Sequence, residues 1–148
     1  MSAALYNADL LRLAATIPHA RRLEAPHASV EKRSPVCGSR VAVDVVLDDM
    51  GRVAMLGQEV RACALGQAAA SLMGAHAVGL TPDELAAARD ALAAGLLGER
   101  DDLGDWPGIA VLARARDYPA RHASIRLAFE AVAEAAALAA AARARDAA

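Results

Sequence analysis

The chain holds only two cysteines in 148 residues. They form no Cys-x-x-Cys pair, which excludes a zinc ribbon and a thioredoxin-type motif. Aromatic residues make up 3% of the chain, so aliphatic and alanine packing must build the core. Basic charge is not in excess. The formal net charge is -2, and no basic run or aromatic interleaving supplies a nucleic-acid footprint. No apolar run approaches the roughly 20 residues of a membrane span. The N-terminus lacks a basic segment followed by an apolar one. No glycine-rich phosphate loop occurs, and no serine or cysteine lies in a recognisable nucleophile motif. These absences predict a cytoplasmic protein with neither a nucleic-acid nor a membrane partner. The length suits one domain, residues 1–148.

Leu5, Leu10, Leu11 and Leu13 recur at helical spacing over 5–16, and Pro18 ends that helix. A polar stretch follows, with a short strand near 28–33. Val41, Val43, Val45 and Leu47 alternate with Ala42, Asp44 and Asp48, which predicts a strand with one buried face. Asp48-Asp49-Met50-Gly51 is a turn, and 53–61 is the returning strand of a hairpin. Helical spacing then predicts a helix over 64–78. Thr81-Pro82-Asp83-Glu84 reads as a capping box opening a helix over 82–97. A short helix over 109–116 and a last one over 119–140 follow, with a frayed helical tail over about 138–148. A small antiparallel sheet beside several helices is an α+β architecture.

The two thiols in this intracellular setting read as free thiols or metal ligands rather than a disulfide. Cys37 sits between Pro35 and Gly38, in a turn that could present sulfur to a metal. Cys63 falls where a strand hands over to a helix, whose unpaired N–H groups would favour a thiolate. Each could equally be a passive small residue. His76 reads as a packing residue. His19 and His27 lie in polar loops, and His122 lies in the first turn of the last helix. Asp44, Asp48 and Glu59 read as solvating strand faces.

Pro35-Val36-Cys37-Gly38 is similar to a Pro-x-Cys-Gly-Asp loop, and Arg61-Ala62-Cys63-Ala64 through Ala70-Ser71 to a second cysteine with its small-residue helix. Leu5-Tyr6, Leu10-Leu11, Gly51-Arg52-Val53, Pro119-Ala120-Arg121 and Leu127-Ala128-Phe129 fall in matching order. In these motifs the chain resembles the U-type iron–sulfur cluster assembly scaffolds: IscU, SufU and the N-terminal domain of NifU. The resemblance covers residues 5–137, and the long interval after Cys63 is nearer to SufU.

That resemblance implies a scaffold or carrier that transiently holds iron or a [2Fe-2S] cluster, or zinc as in SufU-like members. Its partners would be a cysteine desulfurase and recipient apo-proteins. Three cysteines and an aspartate form the site in this family. Cys37 and Cys63 stand at the first two cysteine positions. Ser39 stands at the aspartate and Ser124 at the third cysteine, with Ala123 where IscU has histidine. Serine is a poor ligand because its hydroxyl holds its proton tightly. His122 could complete the site, or a homodimer could gather four cysteines. Other readings are a sulfur-acceptor protein, with persulfide on Cys63, and an interaction module that holds no metal.

Overall fold

A computed structural model describes residues 6–35 and 37–147. Leu5 and Val36, both part of the motifs above, lie outside the described residues.

The alternation over 41–47 belongs to β2 (Arg40–Leu47), the central strand of a three-stranded antiparallel sheet. β1 (Ala28–Arg33) pairs on one side and β3 (Val53–Arg61) on the other. The β2–β3 turn is held by Asp48, whose Oδ1 accepts from Met50 and Arg52 N–H groups at 2.9 and 3.0 Å. The short strand near 28–33 is present as β1.

Val41, Val43 and Val45 are fully buried on the helix-covered face of β2. The other face is not the solvated one the alternation implied. Asp44 is also fully buried. Residues 21–23 cross over it. Arg22 grips both carboxylate oxygens at 2.8 Å, Leu23 N–H donates at 2.9 Å and Ser29 Oγ donates at 2.6 Å. Burial alone would push the Asp44 pKa up, but these bonds outweigh it and hold it below the usual carboxylate range. Asp44 is thus an anchor for the N-terminal loop. Glu59 is exposed, as its strand-face reading expected.

The first helix, α1 (Ala8–Ala15), starts where Asn7 accepts from Leu10 N–H, and Leu10 is fully buried. α2 (Ala64–His76) is buried on almost every side because its residues are small. Its end corrects one expectation. His76 is exposed, with its ring against the edge of Trp106 at 6.3 Å. α3 (Pro82–Leu96) begins with the complete Thr81–Glu84 capping box. The expected short helix is present over Ile109–Asp117, as a 3-10 helix.

The last helical stretch begins at Pro119, where the sequence expected it. Pro119–Arg121 forms a 3-10 turn, and α4 (His122–Ala147) follows. α4 lies across the helix-covered face of the sheet and buries Ile125, Phe129, Val132 and Ala136. The stretch read as a frayed tail is helical through Ala147, where Arg143 donates to the Asp48 carbonyl. Trp106 closes the core. Its Nε1–H donates to the Leu72 carbonyl at 2.7 Å, and its ring meets Phe129 edge-on at 5.0 Å.

Candidate sulfur and metal site

Three chain segments meet at one corner beside the sheet end. The first is the loop 34–39, closed by Ser34 N–H donating to the Ser39 carbonyl at 2.8 Å. Gly38 takes φ +73, a left-handed turn that a side chain would strain. The closed loop leaves Cys37 exposed. The second segment is the end of β3. Cys63 is the N-cap of α2, half-buried, and makes no side-chain cap bond. The third is the first turn of α4, where Ser124 is 1% exposed.

The thiols and hydroxyls of these segments form one chain of contacts. Cys63 Sγ lies 3.4 Å from Ser124 Oγ. The Ser124 hydroxyl donates to Ser39 Oγ at 3.1 Å. Ser39 Oγ lies 3.1 Å from Cys37 Sγ, and the Cys37 thiol donates to Ser34 Oγ at 3.4 Å. Four predicted residues are thus brought together: Cys37, Ser39, Cys63 and Ser124. Ser34 was missed, although a hydroxyl at each end of a tight cysteine turn is a usable signal. Gly66 in α2 lets α4 approach. A Cβ there would stand 2.6 Å from Ser124 Oγ.

His122 is drawn elsewhere. Its Nε2 lies 2.8 Å from the Ala115 carbonyl oxygen, which engages the ring with the 3-10 segment. His27 Nδ1 accepts from Leu47 N–H at 3.0 Å, at the far end of β2.

The sulfur with the acidified environment is Cys37. Once the thiol ionises, the Ser34 hydroxyl can donate to the thiolate, and this bond, then those from the Ser39 hydroxyl and the Ser39 backbone N–H, bring the Cys37 pKa down to about 7. The sequence argument had favoured Cys63, from its helix start alone. Ser34 and Ser39 are each 4% exposed, so the hydroxyl side of these contacts is shielded from water although Cys37 as a residue is exposed.

Two thiols and three hydroxyls make up the donor set. Among the described residues, no group of three or more His, Cys, Asp or Glu gathers as a metal site. A four-coordinate thiolate site needs two more strong ligands than one chain supplies here. The corner is well furnished for thiolate chemistry with sulfur.

No protein-family model matches the chain, and no curated protein matches it. Solved structures do. The N-terminal part of a nitrogen-fixing NifU-like protein from Brucella abortus is 37% identical. The match covers 95% of this chain and 97% of that one, with a TM-score of 0.88. A putative iron–sulfur cluster assembly scaffold protein for the SUF system, from Fervidobacterium islandicum AW-1, is 20% identical. It covers 92% of this chain and 99% of its own at a TM-score of 0.83, a likeness of fold.

Proposed function

The chain belongs to the U-type iron–sulfur cluster assembly scaffold family, and we propose that it serves there as a two-thiol carrier. Cys37 accepts sulfur from the persulfide of a cysteine desulfurase. Cys37 and Cys63 together hold iron or a [2Fe-2S] cluster only when two further donors come from outside the chain. A second copy is the simplest source, because two chains offer four thiolates. Recipient apo-proteins would take the cargo onward.

The observation that carries this reading is the continuous contact chain from Cys37 through Ser39 and Ser124 to Cys63. It joins two thiols at one corner, with no third strong ligand beside them among the described residues. Sulfur transfer suits the exposed thiol of Cys37, whose pKa its hydroxyl neighbours lower to about 7. The Cys37 thiolate attacks the outer sulfur of the donor persulfide. A new S–S bond forms as the old one breaks, and the donor cysteine leaves as a thiolate. Cys37 then carries the sulfane sulfur, with no net oxidation. The hydroxyls and N–H around Cys37 favour the anion before the step, and they suit a persulfide anion after it.

The test is anaerobic incubation of the full chain with a cysteine desulfurase and cysteine. Intact mass should show one added sulfur on Cys37, absent from Cys37→Ser. Adding ferrous iron with dithiothreitol, which together supply the electrons that take the sulfane sulfur to sulfide, should then develop cluster absorbance in a dimer fraction separated by size. No added sulfur, together with no acid-labile sulfide in any fraction, would end the reading.

A further inference from the structure

The three strands bring one arginine each to the rung next to the thiol corner. Arg33 is paired with Arg40, and Arg40 with Arg61. Paired residues on antiparallel strands share a face. This face is the one opposite the helices, since Lys32, Val41 and Val60 occupy the neighbouring rung on the other side. With strands about 4.8 Å apart, the three Cα atoms span about 10 Å. The chain itself ties the rung to the site. Arg33 precedes Ser34, Arg40 follows Ser39, and Arg61 lies just before Ala62 and Cys63.

Next along the same face, about 6.6 Å further in, stand Glu31, Ala42 and Glu59. Arg33 spends part of its charge there, pairing with Glu31 at 2.7 Å. Arg61 is exposed and Arg40 is half-exposed. Neither guanidinium has an ion pair among the described residues. Like charges placed directly opposite each other destabilise a sheet. Here three do so in a chain whose net charge is negative. Carboxylates docked on the rung relieve that repulsion, and guanidinium groups bind them in forked pairs.

We infer that Arg33, Arg40 and Arg61 form a docking surface for an acidic segment of a partner protein, seated beside Cys37. The glutamate rung next to the arginines decides the class of partner. A continuous polyanion such as a nucleic-acid strand would meet Glu31 and Glu59 as well. A protein segment can set carboxylates on the arginines and neutral or basic side chains on the glutamates. The surface stands whether the corner carries sulfur or metal.

The test uses the full chain and a labelled hexaglutamate peptide, followed by fluorescence anisotropy. Binding should weaken steeply with salt. Arg40→Gln combined with Arg61→Gln should lower the affinity at least tenfold. Arg40→Glu combined with Arg61→Glu should transfer the preference to hexalysine. Arg89→Gln, on α3, should change nothing. Saturating hexaglutamate should slow alkylation of Cys37 by neutral iodoacetamide at least threefold in the native chain, and not in the double variants. Both double variants should melt at the native temperature or above, because repulsion is removed or reversed. Unchanged affinity in a folded double variant would overturn the inference, as would an unshielded Cys37. So would tighter binding of a hexathymidylate strand than of hexaglutamate. Loss of self-association as the sole effect of the substitutions would assign the rung to a second copy instead.

Discussion

The Ser124 hydroxyl donates to the Ser39 hydroxyl across 3.1 Å, joining residues 85 positions apart in the chain. The motif resemblance places these two hydroxyls where it implies a thiolate and a carboxylate, and the two side chains touch. Ser124 also lies 3.4 Å from Cys63 Sγ, and Ser39 lies 3.1 Å from Cys37 Sγ.

Ser124→Cys combined with Ser39→Asp should therefore create a four-ligand site within one chain. Zinc retained after desalting should rise toward one per monomer, read by metal analysis. Thiolate and carboxylate are available as anions near neutral pH, and a serine alkoxide is not. Cys63→Ala in that background should remove the gain. An unchanged metal content in the folded double variant would show that these positions do not correspond to ligands.

The Cys37 thiol, normally near 9.0, is pulled down to about 7 by Ser34 and Ser39. Its alkylation rate follows the thiolate fraction, so the rate should rise with pH through a midpoint near 7. Ser34→Ala and Ser39→Ala should each move that midpoint upward, because each removes a group that favours the anion. Rate profiles for the variants that overlay the native one would contradict the assigned cause.

Gly66→Ala separates close approach from helix propensity. In an open helix the change would stabilise by about 1 kcal/mol. Here the new Cβ would meet Ser124 Oγ at 2.6 Å and Ala62 Cβ at 2.7 Å. Overpacking should dominate and cost about 2 kcal/mol in urea unfolding. The contact between Cys63 and Ser124 should also loosen, and Cys63 should alkylate faster.

Asp44 ties the N-terminal loop to the sheet through Arg22, Ser29 and Leu23. Arg22→Ala should cost about 2 kcal/mol, the order expected for a hydrogen bond to a charged group. The sign with pH follows from the lowered pKa of Asp44. Its contribution is fully present above the unfolded value of about 3.9, and it is lost as pH falls through the lower folded value. Asp44→Asn should flatten that part of the acid-unfolding profile. A native-like acid midpoint in Asp44→Asn would remove the anchor role.

The period-two pattern of β2 and the capping box at Thr81 were legible because each depends on residues close in sequence. The same holds for β1, β3 and the positions of the main helices. The second face of β2 was not legible. Asp44 alternates like a solvated residue, and only a loop some 20 positions earlier in the chain buries it. His76 fell on the apolar side of its helical wheel, yet α2 ends there and leaves it exposed beside Trp106. The site was half legible. Cys37, Cys63, Ser39 and Ser124 could be placed together through motif order. Acidification at Cys37 could not be, because it arises from loop closure and side-chain contacts. The helix-start argument could see only Cys63.

One consequence concerns the order in which the molecule is made. Ser124 stands 61 positions after Cys63, at the head of the helix that covers the sheet. At synthesis rates of about 5–20 residues per second, both thiols precede α4 by about 3–12 s at least. During that interval Cys63 has no Ser124 to meet, and the apolar face of the hairpin lies bare. A nascent chain is therefore open to oxidants and to stray sulfur donors in a way the finished protein is not. The Ser124 link between the two thiols arrives only with α4, so a chain truncated before α4 would keep the Cys37 loop and lose the contact that joins it to Cys63.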